Sequence, residues 1–342
     1  MWRVATVVLV VALGAGCGRS PVAGGQGGTS RSGCAAGQTP LLPRTLAQDS
    51  FTGLAWNDGA VVATSLGGVT SFPLDGSAPA PIVQMRDAYG LVLAGGSAFF
   101  EGTFPVGQPN AQGKVSSGSG LFSVPLSGGV PTLQTDAFLE LEDRAVSDGT
   151  AIYAPGVNNI VRIAAADGAR SELPLPTAFT VDALAVHAGT LYVAAQDGAN
   201  QSATNGVIVS LPVTGGPMKT LAENIGHPWT LIADASGLYW EEDPPTGQFT
   251  ASHVVRTGLD GKGKTTLLDH GARSLVVSDG ALYVAMDGLS KVPLAGGDEV
   301  PLVTGLQGPG LLVVSDGNAA WIDPEHQALS ATTEPSLMTV CW

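Results

Sequence analysis

Seven copies of one short motif constrain the fold of this chain more than any other feature. LAWNDGAVVAT, LVLAGGSAFFEG, RAVSDGTAIYA, LAVHAGTLYVA, LIADASGLYWE, LVVSDGALYVA and LVVSDGNAAWI each join two apolar runs through a tight turn, with glycine at 59, 96, 149, 189, 237, 280 and 317. Six intervals separate Gly59 from Gly317, a mean period of about 43 residues. A two-residue turn that needs positive φ favours Asp-Gly, and flanking β-branched and aromatic residues make each copy a β-hairpin. A second hairpin follows each of the first six, as in VTSFPLDGSAPAPIV and LSKVPLAGGDEVPLV. Four strands per period is the pattern of a β-propeller blade. The expected fold is therefore all-β: a β-propeller of four-stranded antiparallel blades, seven by this count. The alternatives are six or eight blades, or another antiparallel β repeat or sandwich.

Composition agrees with many short strands and tight turns. Glycine (47) and proline (23) are abundant in 342 residues, and only 13% are charged, which is unsuited to long helices. A formal charge of −14 opposes nucleic-acid binding, which needs a basic surface to displace counterions, and opposes electrostatic docking on anionic lipid. A membrane link would have to be hydrophobic or covalent.

The N-terminus offers a covalent one. Arg3 precedes an apolar run of about ten residues, Val4 to Leu13, the length of a signal h-region and too short to span a bilayer. Gly14, Ala15 and Gly16 lead into Cys17. This stretch resembles the lipobox of bacterial lipoproteins, with Gly14 where leucine is usual. The resemblance implies a signal peptide over 1–16 and acylation (palmitate) of Cys17; the alternative is an ordinary secretory signal. Residues 18–33, GRSPVAGGQGGTSRSG, have almost nothing to bury, so 17–33 reads as a flexible lipid-anchored tether before a propeller domain at 34–342. Gly18 rather than Asp after the cysteine would, in a Gram-negative envelope, imply the outer membrane.

The stretch GLYWEEDPPTGQFTASHVVRTGLDGKGKTTLL resembles the YWTD repeat of low-density lipoprotein receptor propellers, in which a Tyr-Trp strand precedes a Leu-Asp-Gly turn. Propellers of that type have six blades, so the resemblance implies one blade fewer than the count above. The same stretch contains GLDGKGKT (258–265), which fits the G-x-x-x-x-G-K-[ST] phosphate loop. A phosphate loop must follow a buried strand and open a helix. Here the segment is in register with PLSGGVPT and PLAGGDEV, so it reads as a hairpin turn, with Lys262 and Lys264 solvated.

Besides Cys17 there are two cysteines, Cys34 and Cys341. An even remainder in an exported chain points to a disulfide, two free thiols being the alternative. SLMTVCW (336–342) aligns as the third strand of the seventh blade, and the chain stops before a fourth. CAAGQTPLLPRTLA (34–47) suits an outermost strand, so ring closure would set the two ends side by side.

No G-x-S-x-G elbow or H-E-x-x-H helix is present, and the five histidines have no ligand spacing, so no catalytic residue, cofactor or metal is expected. The aromatic series Phe99, Tyr153, Tyr192, Tyr239, Tyr283 and Trp321 repeats at one blade position and reads as packing. Function is sought instead on one face. The first–second and third–fourth turns of every blade are short, whereas several second–third loops on the opposite face are long: PVGQPNAQGKVSSGS, QDGANQSATN, EEDPPTGQFTAS and DPEHQALSATTEP. Glu101, Asp197, His227, Trp229, Glu242, Asp243, Asp323, Glu325 and His326 lie in or beside these loops and the blade crossings. Acids around an exposed Trp suit a polar or cationic ligand, although acids also simply keep loops soluble.

The expected function is a monomeric, non-enzymatic binding or scaffolding propeller tethered in the bacterial cell envelope, with a protein, peptide or glycan as partner. Barrel-assembly lipoproteins offer a fold-level analogy. The alternative is an exported propeller enzyme of lactonase, glycan lyase or quinone dehydrogenase type.

Overall fold

The computed structural model describes residues 6–7, 44–106, 116–136, 139, 141–200, 204–244, 252–306, 308–323 and 336–342. Within them the chain forms seven four-stranded antiparallel blades, with the strands of the first six in simple sequential order. These six blades run from Phe51 to Gln84, Tyr89 to Thr135, Val146 to Pro174, Phe179 to Ile225, Pro228 to Leu268 and Ser274 to Thr304. The ring is a seven-bladed β-propeller, not the six-bladed one that the YWTD resemblance implied.

The seventh blade is built from both ends of the chain. Gly310–Ser315, Asn318–Asp323 and Ser336–Cys341 supply its inner three strands, and Arg44–Gln48 supplies the outermost, antiparallel to Ser336–Cys341. Thr45 pairs with Met338 and Ala47 with Leu337 across a one-residue irregularity. The closure expected from the truncated last repeat is thus present. Cys341 is buried and disulfide-bonded; Cys34 and the acylation candidate Cys17 lie outside the described residues. Thr6–Val7 pairs in parallel with Ser274 and Leu275 on the inner edge of the sixth blade.

The first–second turns divide into two kinds. Five place consecutive residues at positive φ: Asp58-Gly59, Gly95-Gly96, Ala188-Gly189, Asp279-Gly280 and Asp316-Gly317, as type I′ geometry requires. The third and fifth blades depart from this expectation. There Asp148 accepts bonds from the Thr150 and Ala151 amides at 2.8 and 2.9 Å, and Asp234 accepts from Ser236 and Gly237 at 2.8 and 3.1 Å. A side-chain carboxylate replaces the second left-handed residue.

The core is a set of clusters between neighbouring blades. Tyr153 packs with Leu184 and Leu191 of the next blade, Tyr192 with Leu231 and Trp240, and Tyr239 with Leu275 and Val277. Tyr283 and Trp321 join a cluster that reaches Leu54 and Val61 of the first blade, bridging the closure, and Trp342 stacks on Tyr283 at 5.2 Å. Period-2 alternation sends successive residues of each second strand to opposite neighbours, so both sides are apolar. The repeating aromatics are packing residues.

The phosphate-loop match is a turn. Gly258 N–H donates to the Lys262 carbonyl at 2.8 Å, Gly261 N–H to the Gly258 carbonyl at 2.9 Å, and Thr265–Leu268 is the outer strand. Gly261 has φ +82°, and a Cβ there would lie 2.4 Å from the Leu221 carbonyl oxygen of the preceding blade. Glycine at this position lets two blades approach, with no phosphate involved.

Candidate functional site

Strand direction defines two faces. The short first–second and third–fourth turns lie on one; the second–third loops and the blade crossings lie on the other. Seven of the nine sequence candidates fall within the described residues on or near the second face; Glu325 and His326 lie outside them.

Three candidates come together between the fourth and fifth blades. His227 ends the crossing into strand Pro228–Asp234, and its ring stacks on Trp229 with centroids 3.8 Å apart and planes 25° from parallel. His227 Nε2 lies 3.1 Å from Asp182 Oδ1 and 2.9 Å from Gln196 Nε2. Trp229 Nε1 donates to Asp243 Oδ2 at 2.7 Å, and Ser252 Oγ donates to Asp243 Oδ1 at 2.5 Å. Asp182 and Asp243 are buried, whereas His227 and Trp229 remain partly exposed. The result is an aromatic plate anchored from below by two carboxylates, with polar edges fixed before any ligand arrives. Such a plate suits stacking or edge recognition of a polar ligand.

Glu242 belongs elsewhere. Adjacent strand residues point to opposite faces, so Glu242 and Asp243 cannot share a cluster. Glu242 is only 5% exposed; it accepts from Trp240 Nε1 at 2.9 Å and from Lys264 Nζ at 2.6 Å, with His253 Nε2 at 3.1 Å. Lys264 also lies over the Trp240 ring, 5.6 Å from its centroid. Lys264 is therefore not the solvated turn residue that its position suggested: it partners a buried carboxylate. Lys262 is exposed, 3.5 Å from Asp260.

The remaining candidates have structural surroundings. Glu101 is 1% exposed and accepts from the Leu139 amide at 2.7 Å and the Leu141 amide at 3.4 Å, holding the short helical turn Leu141–Arg144. Asp323 is likewise buried. Asp197, at a strand end, accepts from the Ala199 amide at 3.0 Å. Asp182, Gln196, Ser252 and His253 were not singled out from sequence. Each meets its partner through blade packing or across a long loop whose register the sequence does not reveal.

One constellation resembles hydrolytic machinery. Ser290 Oγ and His270 Nε2 both contact the Glu299 carboxylate, the latter at 2.9 Å. The carboxylate sits in the middle, so the serine hydroxyl has no imidazole base, and the arrangement is a charge-assisted surface network. Among the described residues no group of three or more His, Cys, Asp or Glu is arranged to hold a metal ion.

Comparison with other proteins confirms the fold. No protein-family model matches the chain, and no curated protein matches it. Solved propellers do. The computationally designed Ika8 protein matches with TM-score 0.54 at 12% identity, covering 90% of this chain and all of that one. A prolyl endopeptidase matches with TM-score 0.55 at 12% identity, covering 81% of this chain and 46% of that one. A TolB-like protein from Agrobacterium tumefaciens matches at 16% identity and TM-score 0.45, covering 66% and 85%. For the designed protein and the prolyl endopeptidase, at these identities, the likeness is one of fold alone.

Proposed function

We propose that this chain is a lipid-anchored, non-enzymatic binding propeller of the bacterial cell envelope that recognises a protein, peptide or glycan on its loop-rich face. The observation that carries this reading is the asymmetry of the ring: tight turns on one face, and on the other the long connections and the preset His227–Trp229 plate with its buried carboxylate anchors. A rigid ring bearing long loops on one side is a common platform for recognition.

The anchor rests on the Val4–Leu13 run, the small residues before Cys17 and the polar stretch 18–33. No helix among the described residues is long and apolar enough to cross a membrane. Cleavage before Cys17 would remove the Thr6–Val7 pairing and leave the inner edge of Ser274–Ser278 open. The YWTD likeness is close in the fifth blade and loose over the rest of the propeller domain.

Expression in a bacterial envelope tests the reading. Wild-type protein should fractionate with membranes and capture a partner after crosslinking, and Cys17→Ser should release it to the soluble fraction with its binding face intact. Unchanged fractionation of Cys17→Ser would sink the anchor.

A further inference from the structure

The chain's own N-terminal strand shows where an extended segment fits this ring. Thr6–Val7 pairs in parallel with Ser274 and Leu275, the first two residues of the innermost strand of the sixth blade. It also lies close to the innermost strands of the fifth and seventh blades and to the helical turn Leu141–Arg144 that leads into the third. Neighbours on so many sides place it in the central channel. Innermost strands begin at the crossings, so the paired end is the mouth on the loop-rich face. The edge is fixed beforehand: Ser274 Oγ accepts from the Leu312 amide at 3.2 Å, tying the strand to the seventh blade. Thr6 and Val7 fall in the stretch read as a signal peptide, 1–16, so its removal exposes the N–H and C=O groups of this edge.

Arg273 adds a charge beside that edge. It ends the crossing into the sixth blade, and its amide donates to the Ala285 carbonyl at 2.8 Å. Its guanidinium lies against Gly308 in the crossing into the seventh blade, where a Cβ would come within 2.8 Å of Cζ. The group is half-buried, and among the described residues it has no hydrogen-bond or ion-pair partner. Other arginines do. Arg256 donates to the Leu294 and Ser236 carbonyls at 2.6 and 2.9 Å, and Arg170 meets Glu172 at 3.1 Å. A half-buried guanidinium without an acceptor is a ready partner for a carboxylate.

Resting on the reading that the loop-rich face recognises partners, we propose that the channel mouth binds an extended peptide of another protein. The peptide adds as a parallel strand to Ser274–Ser278, as Thr6–Val7 does, and an acidic side chain one residue before the paired stretch meets Arg273. Register supplies the position: Thr6 is level with Ser274, so the preceding position of an added strand is level with Arg273. Level residues of parallel strands send their side chains to the same face. Direction supplies the source of the charge. The amino end of a parallel strand lies at the mouth, so the carboxylate belongs to a side chain and not to a chain terminus. β-Branched residues suit the paired positions, which hold Thr and Val in the chain's own strand.

Fluorescence anisotropy tests this on the full chain processed in a bacterial envelope, with loss of residues 1–16 checked by intact mass. The probe is a fluorescein-labelled Gly-Gly-Glu-Thr-Val-Val amide. It should bind, and its Gln-Thr-Val-Val and Glu-Pro-Pro-Val counterparts should each bind about tenfold more weakly, the first lacking the charge and the second the amide donors. Unprocessed chain, whose own strand holds the edge, should bind the probe weakly too. Arg273→Gln should abolish the preference for Glu over Gln, and Arg273→Glu should reverse it in favour of Lys-Thr-Val-Val. Equal binding of the glutamate and glutamine peptides, insensitivity to both Arg273 variants, or full affinity of the Pro-Pro peptide would overturn the proposal. So would displacement of the probe by acetate as readily as by unlabelled peptide. If partner capture stays sensitive to Trp229→Ala while no peptide binds, the channel assignment fails and the broader reading survives. If neither is seen, both fail.

Discussion

Tyr153 Oη donates a 2.8 Å hydrogen bond to Asp148 Oδ2, tying the buried ring between the third and fourth blades to the turn that begins its hairpin. Burial and the neighbouring Asp148 push the Tyr153 phenol up to about 12. Burial opposes ionisation of Asp148, but the bonds from Tyr153 and Thr150 outweigh it and hold the carboxyl below its usual value.

The signs of these two shifts differ. A depressed carboxylate stabilises the fold above its unfolded value near 3.8, and that contribution is lost as pH falls through the folded value. The raised phenol contributes below its unfolded value of 10.0, and this part is lost as pH rises towards about 12. Tyr153→Phe should cost about 1 kcal/mol at neutral pH and flatten the alkaline limb of stability against pH. Denaturant unfolding of both proteins between neutral and strongly alkaline pH would show it; parallel curves would contradict it.

A buried carboxylate that partners a lysine, an imidazole and an indole N–H should not tolerate reversal. Glu242→Lys should destabilise by roughly 3–5 kcal/mol, the range for breaking a buried pair by removing one partner, because Lys264 and the Trp240 N–H would face a like charge or nothing. Glu242 is thus unsuited to probing the binding surface, although its sequence neighbourhood suggested that use. Thermal unfolding decides: a melting temperature within a degree or two of wild type would show that the cluster carries little stability.

The ring, its blade count and its closure were legible in the sequence because each rests on local rules. Positive-φ glycines mark the turns, aromatics recur at one strand position, and the last repeat lacks a strand that 34–47 could supply. The site was only half legible. His227, Trp229 and Asp243 could be gathered because all lie at one end of the fifth blade, but Asp182 and Gln196 join them from the fourth blade. Glu242 and Lys264 are 22 residues apart and meet through a fold in the blade.

The ends of the chain should be covalently joined. Cys341 is disulfide-bonded beside the closing strand pair, and we take Cys34 as its partner. Digestion of unreduced exported protein should yield one peptide linking the two termini, and Cys341→Ser should lower stability by about 2–4 kcal/mol. A Cys34 free thiol in exported protein would contradict the pairing.

His270 and Glu299 form a half-exposed pair, with His270 Nδ1 also 2.8 Å from the Gly271 carbonyl. Burial works against the imidazolium, but Glu299 and the carbonyl more than offset it and raise His270; for Glu299, burial is likewise outweighed, by Ser290 and His270, and its carboxyl is lowered. The raised histidine stabilises below its unfolded value near 6.5 and loses this as pH rises; the lowered glutamate stabilises above 4.5 and loses this as pH falls. The pair therefore contributes most between those values, by under about 1 kcal/mol at this exposure. Glu299→Gln should remove that maximum from a plot of stability against pH, leaving at pH 8 (roughly 1.5 units above the free imidazole value) only the smaller loss of the Ser290 bond to the carboxylate. A loss that is the same at every pH would show that the bond, not the charge, matters.

Which face works is the central claim, and partner capture from native envelopes tests it most directly. Trp229→Ala and Asp197→Lys alter the loop-rich face; Asp298→Lys and Asp167→Lys alter exposed positions on the tight-turn face. Each variant, normalised for folded protein, should be crosslinked in cells and its captured partner quantified by mass spectrometry. The account predicts that the first pair reduces capture about tenfold and the second leaves it at the wild-type level. Loss from both faces alike, or from the tight-turn face alone, would contradict it.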